Sequence, residues 1–394
     1  MSGIAILVAA AGRGMRAGGE VPKQYRHLAG RPLLSHTIDA LGRAAPGSLL
    51  LPVIHKDDIA LFRKAAESAA VTASVADPVF GGATRQESVR CGLEALARLP
   101  QQPSTVLIHD AARPFVSKAL AARALSAARE HGAAIPGVAP ADTIKEVDAG
   151  DGVVATVPRG RLRAVQTPQA FRFELILAAH RKAAEAGVRD LTDDAAVAEW
   201  AGHRVYVFEG DAGNMKVTTS EDLARAEARL LDSLPDIRMG QGYDVHAFGP
   251  GSHIWLGGVK ISHERGLSGH SDADVLSHAI TDALLGALAE GDIGSHFPPG
   301  DPQWRGAESR IFLAAAAQKV RARGGMIAHI DATIVCERPK IGPHRDAIRE
   351  RIAEILGIPP GRVAVKATTS ERLGFTGREE GIASLAVATV RLPV

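Results

Sequence analysis

The sequence has little cysteine, no long apolar run and almost no excess of charge. Its two cysteines, Cys91 and Cys336, are far apart in the chain and form no metal-ligand spacing, so we expect both to be core residues. The first apolar run stops at Gly12 after about eight residues, which is too short for a signal peptide or a membrane span. We therefore expect a cytoplasmic protein without a membrane partner.

Basic and acidic residues nearly balance, with 46 Lys and Arg against 44 Asp and Glu and a net charge of +2. There is no excess of basic residues to bind a polyanion, so the composition does not favour a nucleic-acid partner. It is compatible with small anionic substrates. At 394 residues, 46% of them hydrophobic, the chain suits two or three domains with real cores.

The first half alternates between strand and helix patterns. Ile4–Ala9 is a continuous apolar run, typical of a strand buried on both faces. Helical periodicity follows over 33–44, 59–69 and 86–99, and apolar strands over 49–54, 71–75 and 106–108. This alternation predicts an α/β domain with a mostly parallel sheet, whose ligands bind at the carboxyl ends of the strands.

A glycine-rich loop follows the first strand and carries Gly12, Gly14 and Arg16, with Lys23 shortly after. Glycines let backbone N–H groups approach a phosphate, and the two cations could neutralise a triphosphate. The loop is neither a Walker motif nor G-x-G-x-x-G, which argues against a dinucleotide fold. The alternative is an ordinary strand-to-helix turn with solvated basic residues.

Two further polar clusters fall at predicted strand ends. Gly82, Arg85 and Ser88 lie at a strand-to-helix crossing, and Asp110 follows a buried strand, where it suits a Mg²⁺ ligand or, alternatively, a helix N-cap. Farther on, 142–147 and 153–157 predict an antiparallel hairpin that interrupts the α/β pattern. We expect this arm to serve an interface between copies.

Together these motifs resemble one family, the 2-C-methyl-D-erythritol 4-phosphate cytidylyltransferases of the non-mevalonate isoprenoid pathway. The resemblance covers roughly residues 2–231 and rests on Ala10-Ala-Gly-x-Gly-x-Arg16, Pro22-Lys-Gln-Tyr25, His109-Asp-Ala-Ala-Arg-Pro114, Thr167-Pro-Gln169 and Lys216-Val-Thr218. Met15, Ala17 and Glu87 depart from the family's usual residues.

That resemblance implies a dimeric first domain that binds CTP and methylerythritol phosphate. Arg16 and Lys23 would stabilise the pentacoordinate α-phosphorus, and Asp110 would hold Mg²⁺. The sugar phosphate would be received by Arg159, Thr192 and Lys216. The remaining implied substrate contacts are Gly12, Gly14, Gly82, Ser88, Arg113 and Thr167, with Gly82 and Ser88 at the cytosine.

A second domain begins where a charged helix, 220–231, gives way to a new strand pattern after a short linker at 232–236. Asp244 and His246 are two residues apart, which in a strand points both side chains to one face. A further apolar strand pattern covers 254–261. A second cluster of polar ligands, His270, Asp272, Asp274 and His278, follows where a helical pattern begins. Two histidines and a carboxylate with an open position suit catalytic Zn²⁺, although an isolated histidine is more often a core or surface residue.

The second half resembles the 2-C-methyl-D-erythritol 2,4-cyclodiphosphate synthases over roughly residues 237–394. The matching motifs are Gly242-Tyr-Asp-Val-His246, His270-Ser-Asp-x-Asp-Val275, Gly291-Asp-Ile-Gly294 and Lys366-Ala-Thr-Thr-x-Glu371 with Gly374-Phe-Thr-Gly-Arg378. Pro299 departs from the family's usual Asp.

This second resemblance implies a small α+β trimer with sites between subunits. Zn²⁺ would bind Asp244, His246 and His278, and Mg²⁺ would bind near Glu371, a catalytic carboxylate. The implied substrate contacts are His270, Ser271, Asp292, Gly294, Asp301, Lys340 at the cytosine, Thr368, Thr369, Phe375 and Arg378.

We therefore predict a bifunctional enzyme with a cytidylyltransferase domain at 1–231 and a cyclodiphosphate synthase domain at 237–394. An ATP-dependent kinase must act between the two steps, and no kinase motif is visible, so a separate kinase is an expected partner. A dimeric first domain and a trimeric second domain would combine into a hexamer. The rival interpretations are a sugar-phosphate nucleotidyltransferase fused to a zinc hydrolase, and a non-enzymatic, metal-stabilised scaffold.

Overall fold

The computed structural model of the chain describes residues 3–13, 21–70, 75–298 and 300–394. It divides into two compact units, Met1–Glu227 and Ala228–Val394, here called the N-terminal and C-terminal units. Among the described residues the longest helix has 14 residues, and none is long and apolar enough for a membrane span.

The N-terminal unit alternates strands with helices. Its strands are β1 (Ile4–Ala10), β2 (His27–Leu28), β3 (Arg31–Pro32), β4 (Leu49–Ile54), β5 (Val79–Phe80), β6 (Thr105–Asp110), β7 (Ala133–Val138), β8 (Ile144–Val147), β9 (Val153–Val157), β10 (Ala164–Val165), β11 (Gln169–Arg172) and β12 (Tyr206–Glu209). Its helices are α1 (Leu33–Ala44), α2 (Ile59–Glu67), α3 (Arg85–Ala97), α4 (Lys118–His131), α5 (Phe173–Glu185) and α6 (Asp194–Trp200), and α7 (Ser220–Asp232) spans the boundary.

The main sheet of this unit has the order β10-β7-β11-β6-β1-β4-β5, with β12 beside β7. β1 is central and runs parallel to β4 and β6, whereas β11 is antiparallel to β6 and β7. Two apolar clusters cover its faces, one packed under α1 and α4 and the other under α3 and α5. The predicted α/β fold with a mostly parallel sheet is confirmed.

The predicted hairpin is present as β8 and β9, which pair antiparallel as a separate two-stranded sheet. Val147, Val153 and Val154 on this arm are exposed. Of the strand predicted at 71–75, only Val75 lies within the described residues, and it makes a single parallel bridge to Leu50.

The C-terminal unit is built around a five-stranded sheet with helices packed on one face. Its strands are β13 (Asp236–Gly249), β14 (His253–Leu256), β15 (Val259–Ser262), β16 (Gly266–Leu267), β17 (Met326–Val335), β18 (Val363–Thr368) and β19 (Gly381–Leu392), in the sheet order β16-β13-β19-β17-β18. Its helices are α8 (Val275–Ala287), α9 (Ile293–His296), α10 (Arg310–Ala322), α11 (Arg345–Leu356) and α12 (Gly374–Gly377). β17 and β18 are parallel and the other pairs antiparallel, so the predicted α+β unit is confirmed.

Two glycines bring α8 directly onto the backbone of β13. A Cβ atom at Gly242 would lie 1.9 Å from the carbonyl oxygen of Ala279, and one at Gly240 would lie 2.1 Å from that of Ala283. No side chain fits in either place, so strand and helix meet at backbone distance.

One prediction for this unit is wrong in detail. The apolar run 254–261 is not one strand but the hairpin of β14 and β15, because Gly257 and Gly258 both have positive φ and form its two-residue turn. Cys336 is buried as expected, whereas Cys91 is only half-buried, and both are free thiols.

Candidate functional site

A cavity of about 520 Å³ opens in the N-terminal unit at the carboxyl ends of β1 and β6. Parallel strands present their last residues at one edge, so loops that are distant in sequence meet there. The predicted site residues that line this cavity are Gly12, Lys23, Gly82, Ser88, Asp110 and Lys216. Gly14 and Arg16 lie outside the described residues.

Asp110 is the charged centre of this cavity. One carboxylate oxygen lies 2.8 Å from Nζ of Lys216, and the guanidinium groups of Arg85 and Arg113 approach to 3.6 and 3.8 Å. Burial alone would raise the pKa of Asp110, but Lys216 and Arg85 outweigh it and hold that pKa well below its usual range. Asp110 is the last residue of β6, and the next helix is capped by Ser117, so the alternative role as a helix N-cap does not apply.

The glycine loop is held in place by side chains that follow it. Gln24, a buried amide, donates from Nε2 to the carbonyl oxygens of Ala10 at 2.8 Å and Gly12 at 3.1 Å. Arg13 is tethered by Asp57 at 2.9 Å and Asp58 at 3.4 Å. Lys23 is half-buried at the start of a short 3-10 helix rather than fully solvated.

Four other predicted residues of this unit do not line the cavity. Arg113 is buried and donates to the carbonyl oxygen of Asn214 at 2.7 Å. The hydroxyl of Thr167 accepts from the Asp110 amide at 3.0 Å and contacts Nδ1 of His109 at 3.1 Å. Arg159 donates to the carbonyl oxygen of Ala141 beside the arm, and Thr192 is exposed just before α6.

A buried ionic network behind the cavity was not predicted. Arg85 donates to Asp194 at 2.8 Å, and Asp194, which is fully buried, also contacts Nε2 of His180 at 3.2 Å. Arg85 therefore links a buried carboxylate to Asp110. No local pattern indicated this pairing, because Arg85 and Asp194 are 109 residues apart.

In the C-terminal unit, three predicted ligands converge. Oδ2 of Asp244 lies 3.2 Å from Nε2 of His246 and 3.0 Å from Nδ1 of His278, and these two nitrogens are 3.1 Å apart. Zinc bonds of 2.0–2.2 Å in a tetrahedral arrangement place ligand atoms roughly 3.3 Å apart, so the triad has the spacing of a tetrahedral face. No other set of three His, Cys, Asp or Glu side chains among the described residues offers ligand atoms this close together.

The second nitrogen of each imidazole is already occupied. Nδ1 of His246 lies 2.9 Å from the carbonyl oxygen of Ser268, to which it can only donate, which leaves Nε2 as an acceptor facing the triad. Nε2 of His278 contacts the hydroxyl of Ser309 at 2.8 Å. Burial would raise the pKa of Asp244, but the close contacts with His246 and His278 hold that pKa well below its usual range.

Not every polar residue of the predicted ligand cluster points to the triad. Asp274 caps α8 and accepts from the backbone of Ser277, Gly257 and Gly258, so its carboxylate is fully used in the fold. Ser271 approaches Nε2 of His278 at 3.2 Å, whereas the exposed His270 accepts from the amide of Gly306 at its carbonyl oxygen.

The other predicted residues of this unit lie in loops, at helix caps, in two short helices and at a strand end. Asp292 caps the short α9, which contains Gly294, and Asp301 caps a 3-10 helix at 302–304. Thr369 donates to Glu371 at 2.7 Å, and Arg378 pairs with Glu380 at 2.8 Å. The remaining members of this set are Lys340, which is exposed, Thr368 at the end of β18 and Phe375 in α12. Glu371 does not belong to the triad.

Fold and sites together define a two-domain enzyme of phosphate chemistry, with a cation-lined α/β cavity in one unit and a candidate metal-binding triad in the other. Models of two known protein families match the two halves of the chain. The family model described as 2-C-methyl-D-erythritol 4-phosphate cytidylyltransferase matches residues 4–232, and that of the YgbB family matches 237–391.

Relatives extend over almost the whole chain. A solved structure, the bifunctional IspDF from Campylobacter jejuni, is 31% identical, covers 99% of this chain and 98% of its own, and has a TM-score of 0.47. The bifunctional enzyme IspD/IspF of Rhodopseudomonas palustris (strain HaA2) is 59% identical over 389 residues, 99% of this chain and 96% of that protein. The enzyme of the same name from Bradyrhizobium sp. (strain BTAi1 / ATCC BAA-1182) is 56% identical over 389 residues.

The chain belongs to the bifunctional IspD/IspF family. It joins a cytidylyltransferase domain to a cyclodiphosphate synthase domain, and the predicted bifunctional enzyme is confirmed.

Proposed function

We propose that the cavity around Asp110 and the triad at Asp244 are the two reaction centres, with the residue roles given below. In the first, a phosphate oxygen of 2-C-methyl-D-erythritol 4-phosphate forms a bond to the α-phosphorus of CTP, the bond to the β-phosphate breaks, and diphosphate leaves. The observation that carries this assignment is the convergence of the glycine loop, Lys23, Lys216 and Asp110 on one cavity.

The attacking phosphate is already an anion, so this reaction needs no protein base. It needs two anions held in line and their repulsion reduced. Lys23 and Arg16 would neutralise the α-phosphate, and Lys216 would receive the sugar phosphate. Backbone N–H groups of the loop at Gly12 would meet the triphosphate.

The residues around Asp110 fit Mg²⁺ held jointly with substrate. Magnesium is usually bound by one or two carboxylates together with substrate phosphates, and Asp110 offers a single carboxylate whose described neighbours are cations. Bound there, the ion would neutralise charge on the phosphates. Lys216 would then exchange its 2.8 Å contact with Asp110 for the phosphate of the second substrate.

For the second reaction, we assign Zn²⁺ to Asp244, His246 and His278. The donor set of two imidazoles and a carboxylate, with one open position, suits catalytic zinc, which would act as a Lewis acid on a diphosphate oxygen. In 4-diphosphocytidyl-2-C-methyl-D-erythritol 2-phosphate, the 2-phosphate oxygen bonds to the β-phosphorus, the bond to the α-phosphate oxygen breaks, and CMP leaves. Thr368, Thr369 and Arg378 would bind the phosphates.

Glu371 is assigned to a second divalent ion, Mg²⁺, at the phosphates. Its exposed carboxylate accepts from Thr369 at 2.7 Å, so a hydroxyl and a carboxylate face the same space. Like Asp110, it offers one carboxylate, which fits an ion shared with substrate.

Association into a homo-oligomer is supported by exposed apolar faces. Ile237, Met239 and Tyr243 of β13 project from the side of the strand opposite α8, and are 60, 70 and 54% exposed. The valines of the β8–β9 arm are exposed as well. A trimer of C-terminal units and pairing of N-terminal arms would cover both faces and yield a hexamer. A separate kinase remains the partner expected between the two reactions.

The proposal is tested by replacing His278 with Ala in the full-length enzyme. Both activities and the content of bound zinc are measured. Zinc content and cyclisation should fall together while cytidylyl transfer persists, because His278 lies outside the first cavity. His329→Ala, at an exposed position of β17, is the control. Loss of both activities in a folded His278→Ala protein, or unchanged zinc content, would contradict the assignment.

A further inference from the structure

We infer that Glu337 is a positioning residue for cyclisation, because its carboxylate clamps the turn that presents Glu371. Glu337 follows β17 and is neither a member of the triad nor among the described residues that line the first cavity. The inference rests on the proposed role of Glu371, and it adds the device that holds Glu371 in place.

The turn at 370–373 has an unfavourable backbone. The carbonyl oxygen of Ser370 accepts from the amide of Leu373 at 2.9 Å, which closes a four-residue turn. Its two central residues, Glu371 and Arg372, have φ of 52° and 64°. Such a pair suits glycine or asparagine, because the Cβ of an L-residue is crowded there.

A left-handed pair of bulky residues persists only where its surroundings over-determine it. Here one oxygen supplies much of that constraint. Oε1 of Glu337 accepts from the amide of Ser370 at 3.1 Å and from the amide of Arg372 at 3.2 Å. The Ser370 amide belongs to the peptide that enters the turn and the Arg372 amide to the peptide that follows Glu371, so a single acceptor fixes the chain on both sides of Glu371.

The other side of the turn is closed by α12. A Cβ atom at Gly377 would lie 2.1 Å from the carbonyl carbon of Arg372, so the helix backbone packs directly against the turn. Glu337 and Gly377 thus hold Arg372 from two sides. This turn sets the position of the Glu371 carboxylate, which accepts a hydrogen bond from the Thr369 hydroxyl at 2.7 Å.

Glu337 also joins this turn to a second functional segment. Residues 336–340 carry Lys340, proposed at the cytosine, and the amide of Cys336 donates to the carbonyl oxygen of Thr368 at 3.1 Å. A shift of this segment on nucleotide binding would therefore move the turn through Glu337. Loss of the Glu337 carboxylate should therefore lower kcat for cyclisation more than it weakens binding of the substrate.

The test compares Glu337→Ala with Glu337→Gln in the full-length enzyme. Glutamine keeps a carbonyl oxygen at Oε1 but no charge, so the clamp should survive. We expect Ala to lower kcat for cyclisation by at least about tenfold and to leave KM within about twofold, and Gln to retain kcat within about threefold. Glu354→Ala, at an exposed carboxylate on α11, should match the wild type.

Hydrogen exchange provides a readout independent of turnover. The amides of Ser370 and Arg372 should exchange at least about tenfold faster in Glu337→Ala, and at wild-type rates in Glu337→Gln. If the Ala variant does not fold, Glu337→Asp withdraws the acceptor by one methylene and should show the same loss of protection and of kcat.

Three results would overturn the inference: wild-type kcat in Glu337→Ala, unchanged exchange of the two amides, or a Gln variant as impaired as Ala. Glu371→Gln is measured in parallel. Full cyclisation by that variant would refute the proposed role of Glu371 itself, while the exchange data would still decide whether Glu337 clamps the turn.

Discussion

Nε2 of His278 lies 2.8 Å from the hydroxyl oxygen of Ser309, on the side of the ring away from Asp244. Ser309 is fully buried and is itself held by Asp272, which accepts from both its amide and its hydroxyl. With the Ser309 proton committed to Asp272, the hydroxyl oxygen accepts from Nε2–H. Nδ1 of His278 then keeps its lone pair directed at the triad.

Ser309→Ala should therefore weaken zinc binding by about 10- to 100-fold, because the imidazole loses the partner that fixes its tautomer and orientation. Competition against a chromophoric chelator measures this directly. Ser252→Ala, at an exposed serine of the same unit, serves as the control. Unchanged affinity in Ser309→Ala would mean that the ring is held by its other contacts.

Lys23→Ala should lower kcat/KM for cytidylyl transfer by at least about 100-fold, since a positioned cation is lost where charge develops in the transition state. Lys23 is half-buried at the cavity wall and lies outside the apolar core, so the melting temperature should change little. Lys56→Ala, an exposed lysine of the same unit, should retain full activity. Near-normal turnover of the Lys23 variant would remove it from the reaction centre.

Arg85→Ala should destabilise the N-terminal unit by about 3 kcal/mol, because it removes the guanidinium that pairs with the buried carboxylate of Asp194. Arg181→Ala breaks a surface pair with Glu94 and should cost no more than about 1 kcal/mol. Native-state hydrogen exchange in α3 and α6 under increasing denaturant measures the loss of stability in both variants. Equal costs for the two variants would show that the Asp194 network is not stabilising.

Stability of the N-terminal unit should fall as the pH drops from 6.5 towards 4. Burial lowers the pKa of His109 from 6.5 to about 4. Between these values the unfolded chain binds more protons than the folded one, so stability rises with pH there, by up to about 1.4 kcal/mol per pH unit for this histidine. His109→Gln should flatten the pH profile of unfolding, whereas His27→Gln, at an exposed position, should not. An unaltered slope in the His109 variant would assign the acid sensitivity to other groups.

Sequence reasoning succeeded where the relevant physics is local. Apolar periodicity predicted α1 at 33–44 and β4 at 49–54 with the bounds found in the structure, because burial imposes a period of 3.6 or a continuous run. It failed at 254–261, where two glycines reverse the chain inside an apolar run. No prediction was made for the shorter strands β7, β11 and β12 or for the helix α4.

The same distinction applies to the sites. Asp244 and His246 were found from a spacing of two residues in a strand, and the cavity residues from motifs at strand ends. The supporting pairs could not be found in this way: Ser309 with Asp272, Glu337 with Ser370, and Arg85 with Asp194 are 37, 33 and 109 residues apart. Such contacts are made by the tertiary fold and leave no periodic trace in the chain.

The bare backbones of Gly240 and Gly242 have a consequence for the choice of ion. Asp244 and His246 lie on β13 and His278 on α8, and no layer of side chains separates the strand from the helix at these glycines. A substitution that moved α8 outward by the width of a methyl group would lengthen both distances from His278 together. Ions with longer metal–ligand bonds would then gain over zinc. Under the proposed assignment of Zn²⁺ to the triad, selectivity among divalent ions would thus depend on two glycines that are not themselves ligands.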